Sequence, residues 1–306
     1  MNFKTINKKV LTGLLTFFLV ISASFFLLRI LPGSPFDEGR FLSADILEKM
    51  EKKYGLDKPL TQQYSAYIGK LIHGDLGPSL KYPNRDVQDI LWDAAPVSFE
   101  LGIWAMLLAL IFGITLGSTA ALFPDKFIGK FALIFSSISI SMPSFVFAGI
   151  LITIFGLQLN WLPVALWEGP EYKILPILTL AIAPTAYITR ITRSSLMDTL
   201  GKEHIKTALA KGLGYWTVVM KHVIYNSLIP IVTFAGPLLA VLITGSFVVE
   251  YVYALPGMGK YFVTAFINRD YFLVSGVVVI FSIVLLVVNT VVDLVVMQLD
   301  PKQRSL

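Results

Sequence analysis

Six stretches of the chain carry apolar side chains almost without interruption: residues 10–31, 97–123, 127–157, 174–191, 223–249 and 272–297. Each is long enough to cross a hydrocarbon layer about 30 Å thick as a helix. Lipid offers no partner to a backbone N–H or C=O, so runs of this kind form helices unless they close into a barrel. Barrel strands alternate in polarity over about 10 residues, and these runs do not alternate. The pattern predicts an all-α polytopic membrane protein with six transmembrane helices. The first run, with Lys4, Lys8 and Lys9 before it and Ser22-Ala23-Ser24 within it, has some features of a cleaved secretory signal. Its apolar pattern continues through residues 25–28, past such a cleavage point, and the expectation is a retained span.

Two segments depart from this pattern. In residues 32–96, Leu47, Met50 and Tyr54 recur at helical spacing and stop at Gly55. Leu60, Tyr64, Tyr67, Ile68 and Leu71 repeat the pattern before His73-Gly74. Val87, Ile90 and Leu91 form a third short run after Asp86, a residue type suited to an N-cap. A segment of this size buries little core alone, so a small helical insert packed on the spans or on a partner is expected. In residues 190–222, Ile205, Ala208, Leu209 and Gly212 fall at i, i+3, i+4 and i+7, which predicts a short helix with one narrow face of small and apolar residues. Lys206, Thr207 and Lys211 lie opposite, and Lys211-Gly212 is a usual helix stop, with Gly212 expected in the left-handed cap conformation. Taken alone, this helix could lie on lipid or receive a partner.

Charge then orients the spans. Lys and Arg are scarce, with charged residues only 15% of the chain against 55% hydrophobic; soluble domains carry about 25% charged residues. This composition excludes a soluble enzyme and a nucleic-acid-binding domain, since the net charge of +5 resides in short loops. Lys4, Lys8 and Lys9, two lysines in 124–130, six cations in 190–222, and Lys302 with Arg304 fall on one side. The opposing short loops hold only Lys173, Lys260 and Arg269. The cation-rich side is normally cytoplasmic, so both termini are expected inside and 32–96 outside. The expected organisation is an N-terminus and first span over 1–31, the insert over 32–96, a five-span core over 97–298 containing the loop 190–222, and a tail over 299–306.

The residues Thr207-Ala208-Leu209-Ala210-Lys211-Gly212-Leu213, preceded by Arg190-Ile-Thr-Arg193-Ser-Ser, resemble the loop that holds the coupling helix in ABC-importer permeases of the peptide group. Four further stretches resemble the same group in order. They are Arg29-Ile-Leu-Pro-Gly-Ser-Pro35; Tyr54-Gly-Leu-Asp-Lys-Pro-Leu60 with His73-Gly-Asp-Leu-Gly77; Met142-Pro-Ser-Phe145 with Asn160-Trp-Leu-Pro163; and Gly245–Gly259 with Asn268-Arg-Asp-Tyr271. Pro35-Phe36 and residues 74–79 are most similar to the first permease subunit of oligopeptide importers. One departure is visible: where importer loops commonly read Glu-Ala-Ala, three residues, then Gly, this chain has Lys206, Thr207 and Ala208.

The resemblance implies the fold of a type I ABC importer permease, located in a prokaryotic cell membrane. It implies an alternating-access mechanism for oligopeptides, with dipeptides or nickel as the other substrates. The implied partners are a second homologous permease, two ATPase subunits and an extracytoplasmic peptide-binding lipoprotein, with membrane lipid around them and no nucleic acid. Residues 205–213 (Ile205, Lys206, Thr207, Ala208, Leu209, Ala210, Lys211, Gly212 and Leu213) are the implied ATPase contact. Glu250, Leu255, Pro256, Gly257, Met258 and Gly259 would shape the outer gate, either by touching peptide or as a structural turn.

The chain's own chemistry is sparse. No Gly-x-x-x-x-Gly-Lys-Ser/Thr loop occurs, because Gly259-Lys260 lacks the upstream glycine and is followed by Tyr261. ATP and Mg would therefore belong to the partners, with no cofactor bound by this chain. Cysteine is absent, and His73, His204 and His222 are scattered, so neither a catalytic residue nor a metal site is expected. An ion-driven carrier would need inverted repeats and intramembrane ionisable sites. Arg29 and Glu100 lie near span ends, where they can snorkel. Asn289 and Asp293, four apart on the last span, are expected to be structural.

Overall fold

The structure is a computed structural model that describes residues 3–30, 35–36 and 44–299. The proline-containing motif at 31–34, the first part of the insert at 37–43 and the tail from 300 onward lie outside the described residues, as do the side chains of Lys4, Lys8 and Lys9. The described residues form α1 (Phe3–Ile30), α2 (Ala44–Tyr54), α3 (Leu60–Ile72), α4 (Val87–Leu122), α5 (Phe127–Ser141) and α6 (Ser144–Leu151), the last continuing as a π-helical turn over Ile152–Gln158. There follow α7 (Pro170–Leu200), α8 (Glu203–Ala210), α9 (Tyr215–Val218), a second π-helical turn over Val219–Ile224, and α10 (Tyr225–Ile243). The last elements are α11 (Phe247–Val252), α12 (Met258–Ile267) and α13 (Tyr271–Leu299).

Among the described residues five segments are long and apolar enough to span a membrane; α5 with α6 and its π-helical extension meets the same test only as a pair, bent by 110°. The sequence pattern predicted one continuous helix over 127–157. The break is at Met142-Pro143: the residue before a proline is pushed out of the helical region, and Met142 sits at φ −97°, ψ 132°. A second difference concerns the insert. Residues 87–96, expected to belong to it, are the first turns of α4, which runs through Pro96 without ending. Proline removes one helical hydrogen bond, but Val87, Ile90, Leu91 and Ala94 are buried at 0–3% exposure. They pack in one cluster with Leu273, Val274 and Val277 of α13, burial that favours continuing the helix through Pro96.

The core lies along α4 and α7. Leu101, Ala105, Ala109, Gly113, Gly117 and Ala121 recur every four residues on α4 and all are buried. This small-residue stripe allows backbones to approach, the usual basis of helix association in lipid. A Cβ at Gly113 would lie 2.7 Å from the Ile188 side chain, and one at Gly117 would lie 2.5 Å from Thr192 Cβ. Near one end of the same pair, Lys173 Nζ meets Glu100 Oε1 at 2.6 Å. α10 crosses the other side, where Gly102 faces the Ile243 backbone. Within the insert, α3 packs on α1. Tyr64 and Tyr67 of α3 meet the Phe25 ring at 5.2 and 5.3 Å between centroids, and Ser22 Oγ lies 2.7 Å from Tyr64 Oη. Asp270 ties the next loop down, accepting from the Leu80 amide at 3.0 Å and the Leu273 amide at 3.1 Å.

Candidate functional site

At the end of the bundle where α4 and α7 finish, α8 is held as a separate eight-residue helix. A helix this short is unstable by itself in water and needs an anchor. Ile205, 1% exposed, supplies it by packing with Ala121 of α4, Leu196 of α7, Val218 of α9 and Val223. The C-terminus closes with Gly212 at φ +82°. Its amide donates to Leu209 O at 2.9 Å, and the Leu213 amide donates to Ala208 O at 3.3 Å, the Schellman arrangement that glycine at this position permits. Lys206 pairs with Glu203 on the surface at 2.7 Å.

This divides the predicted face of Ile205, Ala208, Leu209 and Gly212: Ile205 is turned into the bundle, while Leu209 and Gly212 are exposed. Ile205 is buried and cannot receive another chain without leaving its own core, and Ala208 is half-buried against the same cluster. The surface turned outward holds Lys206, Thr207, Leu209, Ala210 and Lys211, and continues into Leu213. Spacing located an apolar face but could not assign its contacts, because the same arc serves to anchor α8. Next to it stand Tyr215 and Trp216, 48% and 55% exposed, with Trp216 6.1 Å from Phe123 between ring centroids. Sequence reasoning passed over this aromatic pair; two adjacent aromatics just after a glycine-bounded helix stop were the available signal. An exposed cluster of large apolar groups with aromatics is the composition of an interface.

At the opposite end, the segment from Glu250 to Gly259 is folded inward. Glu250 is fully buried, accepting from Ser98 Oγ at 2.8 Å and from the Lys260 amide at 2.9 Å. Ser98 in turn accepts from the Met258 amide at 2.8 Å. The Leu255 amide donates to Glu250 O at 2.7 Å. Leu255 and Met258 are 0% and 1% exposed. A Cβ on Gly257 would come within 2.5 Å of the Glu250 carboxyl carbon, and one on Gly259 within 3.0 Å of Glu250 Oε2. Of the six predicted gate residues only Pro256 is exposed. The geometry is that of a pinned structural turn, with a carboxylate replacing the missing backbone partners, and Glu250 is not placed to touch a passing solute.

Between these ends, one side of α10 is opened by its two internal prolines, Pro230 and Pro237, into a shallow apolar groove with Thr233, Phe234 and Val241. Among the described residues no group of three His, Asp or Glu is placed to hold a metal ion.

Comparison with known proteins bears on these surfaces. The family described as "Binding-protein-dependent transport system inner membrane component" matches residues 113–305, and its N-terminal companion matches residues 2–97. The oligopeptide transport system permease protein OppB of Haemophilus influenzae is 41% identical over 98% of this chain and 99% of its own length. The dipeptide transport system permease protein DppB of Bacillus subtilis is also 41% identical, over 94% and 93%. OppB of Salmonella typhimurium is 39% identical over 98% and 99%. Among solved structures, the MetNI methionine ABC transporter in inward-facing form aligns with a TM-score of 0.56 at 17% identity, over 70% of this chain and 97% of that one. An amino acid ABC transporter aligns with a TM-score of 0.52 at 15% identity, over 72% and 95%. These two likenesses show the fold.

Proposed function

Because the chain belongs to the family of binding-protein-dependent transport system inner membrane components, we propose that it is the first permease subunit of an ATP-driven importer of oligopeptides. In this reading both termini are cytoplasmic, α2 and α3 lie outside, and an ATPase docks on the outward surface of α8. A second, homologous permease completes the wall along the groove of α10, and a peptide-binding lipoprotein delivers substrate to the outer end. The partners carry ATP and Mg, since this chain has no phosphate-binding loop.

The observation that carries the reading is the attachment of α8. One side chain, Ile205, fastens it to residues of α4, α7 and the start of the α9–α10 segment, while Lys206, Leu209 and Ala210 face away. A push on the exposed side is transmitted to three spans at once through a packed contact rather than a loose loop. Packed interfaces move as units between discrete arrangements, not by continuous deformation. Import then follows from alternation of the spans, with no chemical step on this chain.

A second substrate reading, dipeptides, is favoured by the equal identity to the Bacillus subtilis dipeptide permease. Proteoliposomes holding the chain with its co-purifying subunits and binding protein decide both points. Uptake of labelled tetra- and pentapeptides that requires ATP supports the proposal, and preference for dipeptides transfers it to the second reading. Uptake that ignores ATP and follows an imposed ion gradient overturns it.

A further inference from the structure

Where α1 leaves the apolar layer, a cleft opens between its last turn and the insert helices. Arg29 lines it together with Lys52, Lys53, Lys58 and Lys70. Asp75 is the one acidic side chain among the described residues that line it. Lys52 is engaged by Glu48 and Lys70 by Asp75. Arg29, Lys53 and Lys58 have no carboxylate within 4.0 Å among the described residues.

The Arg29 guanidinium is positioned with some care. It stacks on the Phe25 ring at 3.5 Å from the centroid and faces Tyr271 at 5.4 Å. Its Nε donates to Gln63 Oε1 at 2.9 Å, and Nη1 donates to Phe25 O at 3.3 Å. The Gln63 amide is itself fixed, donating to Leu56 O at 3.0 Å and Lys58 O at 2.8 Å. Nη2 is left with no acceptor among the described residues. The Tyr67 hydroxyl, buried on the same cleft, has Ser275 as its polar neighbour. Burial pushes that hydroxyl up to about 12, so it remains a protonated donor. A guanidinium N–H with no acceptor, on a cation held rigid by rings and flanked by lysines with no carboxylate beside them, forms a receptor for an oxyanion; a planar guanidinium matches phosphate geometry.

The surroundings select the source of the phosphate. Arg29 is in the last turn of the 20-residue apolar stretch Leu11–Ile30. Leu27 and Ile30 beside it are 65% and 74% exposed. A soluble anion gains nothing from that apolar surface, whereas a phospholipid would lay its acyl chains on it while its headgroup enters the cleft. Basic pockets at the ends of spans are how membrane proteins hold anionic lipids.

We propose that the cleft formed by Arg29, Lys53, Lys58, Gln63 and Tyr67 is a binding site for the headgroup of an anionic phospholipid, fixing the insert helices to the bilayer surface. The inference depends on the chain being a membrane protein and not on which substrate it carries or which side the insert occupies.

The test uses the full chain, purified with whatever subunits accompany it. Native mass spectrometry after exchange into mixed phosphatidylglycerol and phosphatidylcholine should show one phosphatidylglycerol retained in preference to phosphatidylcholine. Each cation near an anionic group contributes about fivefold to binding, so Lys53→Gln/Lys58→Gln should weaken retention by about 25-fold. Both lysines are exposed, and the melting temperature in lipid-free detergent should not move. Arg29→Lys keeps the charge but loses the fork and the Gln63 contact, and should weaken retention as well. Equal retention of both lipids, or unchanged preference in the lysine pair variant, overturns the proposal. So does inorganic phosphate protecting the detergent-solubilised chain against heating as well as phosphatidylglycerol does, since the site would then serve a soluble anion.

Discussion

The hydroxyl of Ser98, on α4, and the carboxylate of Glu250, on α11, are joined at 2.8 Å across 152 residues of chain. With the Met258 amide on the other side of Ser98 and the Lys260 amide on the other oxygen of Glu250, they pin the α11–α12 turn against the bundle. A buried acceptor of this kind is costly to disturb, because each donor left unpaired costs about 1–3 kcal/mol.

Glu250→Gln replaces an acceptor oxygen by an NH₂ group facing amide donors, and Ser98→Ala removes the bridge. Both are expected to lower the thermal half-life of the purified protein, each by the equivalent of about 1–3 kcal/mol, while molecules that survive keep their KM for peptide. A large rise in KM at unchanged half-life would instead place Glu250 in contact with substrate.

Two variants on α8 separate anchoring from docking. Ile205→Ala should cost about 2–5 kcal/mol of stability, as for other buried large-to-small changes. Leu209→Asp should leave melting unchanged but abolish co-purification of ATPase subunits and ATP-dependent uptake. If Leu209→Asp retains both, the outward surface of α8 is not the docking site.

The α4 stripe has no room for larger groups. Gly117→Val would drive a branched side chain into Thr192 and the Thr189 carbonyl, whose distance from the new Cβ would be 2.6 Å. Overpacking of this kind costs typically about 1–3 kcal/mol. Reduced yield of folded protein and a lower melting temperature are expected, with a milder effect for Gly117→Ala. Fluorescence-detected size exclusion after heating measures both.

The orientation of the spans is checked with single cysteines in a chain that has none of its own. Lys53→Cys and Lys211→Cys are both at exposed positions. An impermeant thiol reagent applied to intact cells should mark the first alone, and permeabilisation should expose the second. The opposite labelling would reverse the assignment of inside and outside.

The sequence by itself determined the solvent this protein folds in. Runs of about 20 apolar residues can only be helices in lipid, so the number and rough position of the spans were legible, as were the stop at Gly212 and the helical periodicity of α3 and α8. Tertiary structure decided what each face touches. A period of 3.6 residues shows that Ile205, Ala208 and Leu209 share an arc, but only packing reveals that Ile205 is held inside while Leu209 faces out. The same limit applied to Glu250. A carboxylate near a glycine-rich turn reads equally as a peptide contact or as part of the turn, until the chain brings Ser98, Ser246, Gly259 and Lys260 around it. It applied again at Pro96 and Pro143, two prolines of which one lies within a continuous helix and the other stands at a 110° turn between two helices. Local sequence sets the missing hydrogen bond in both cases; whether the helix continues depends on the long-range burial available on either side of it.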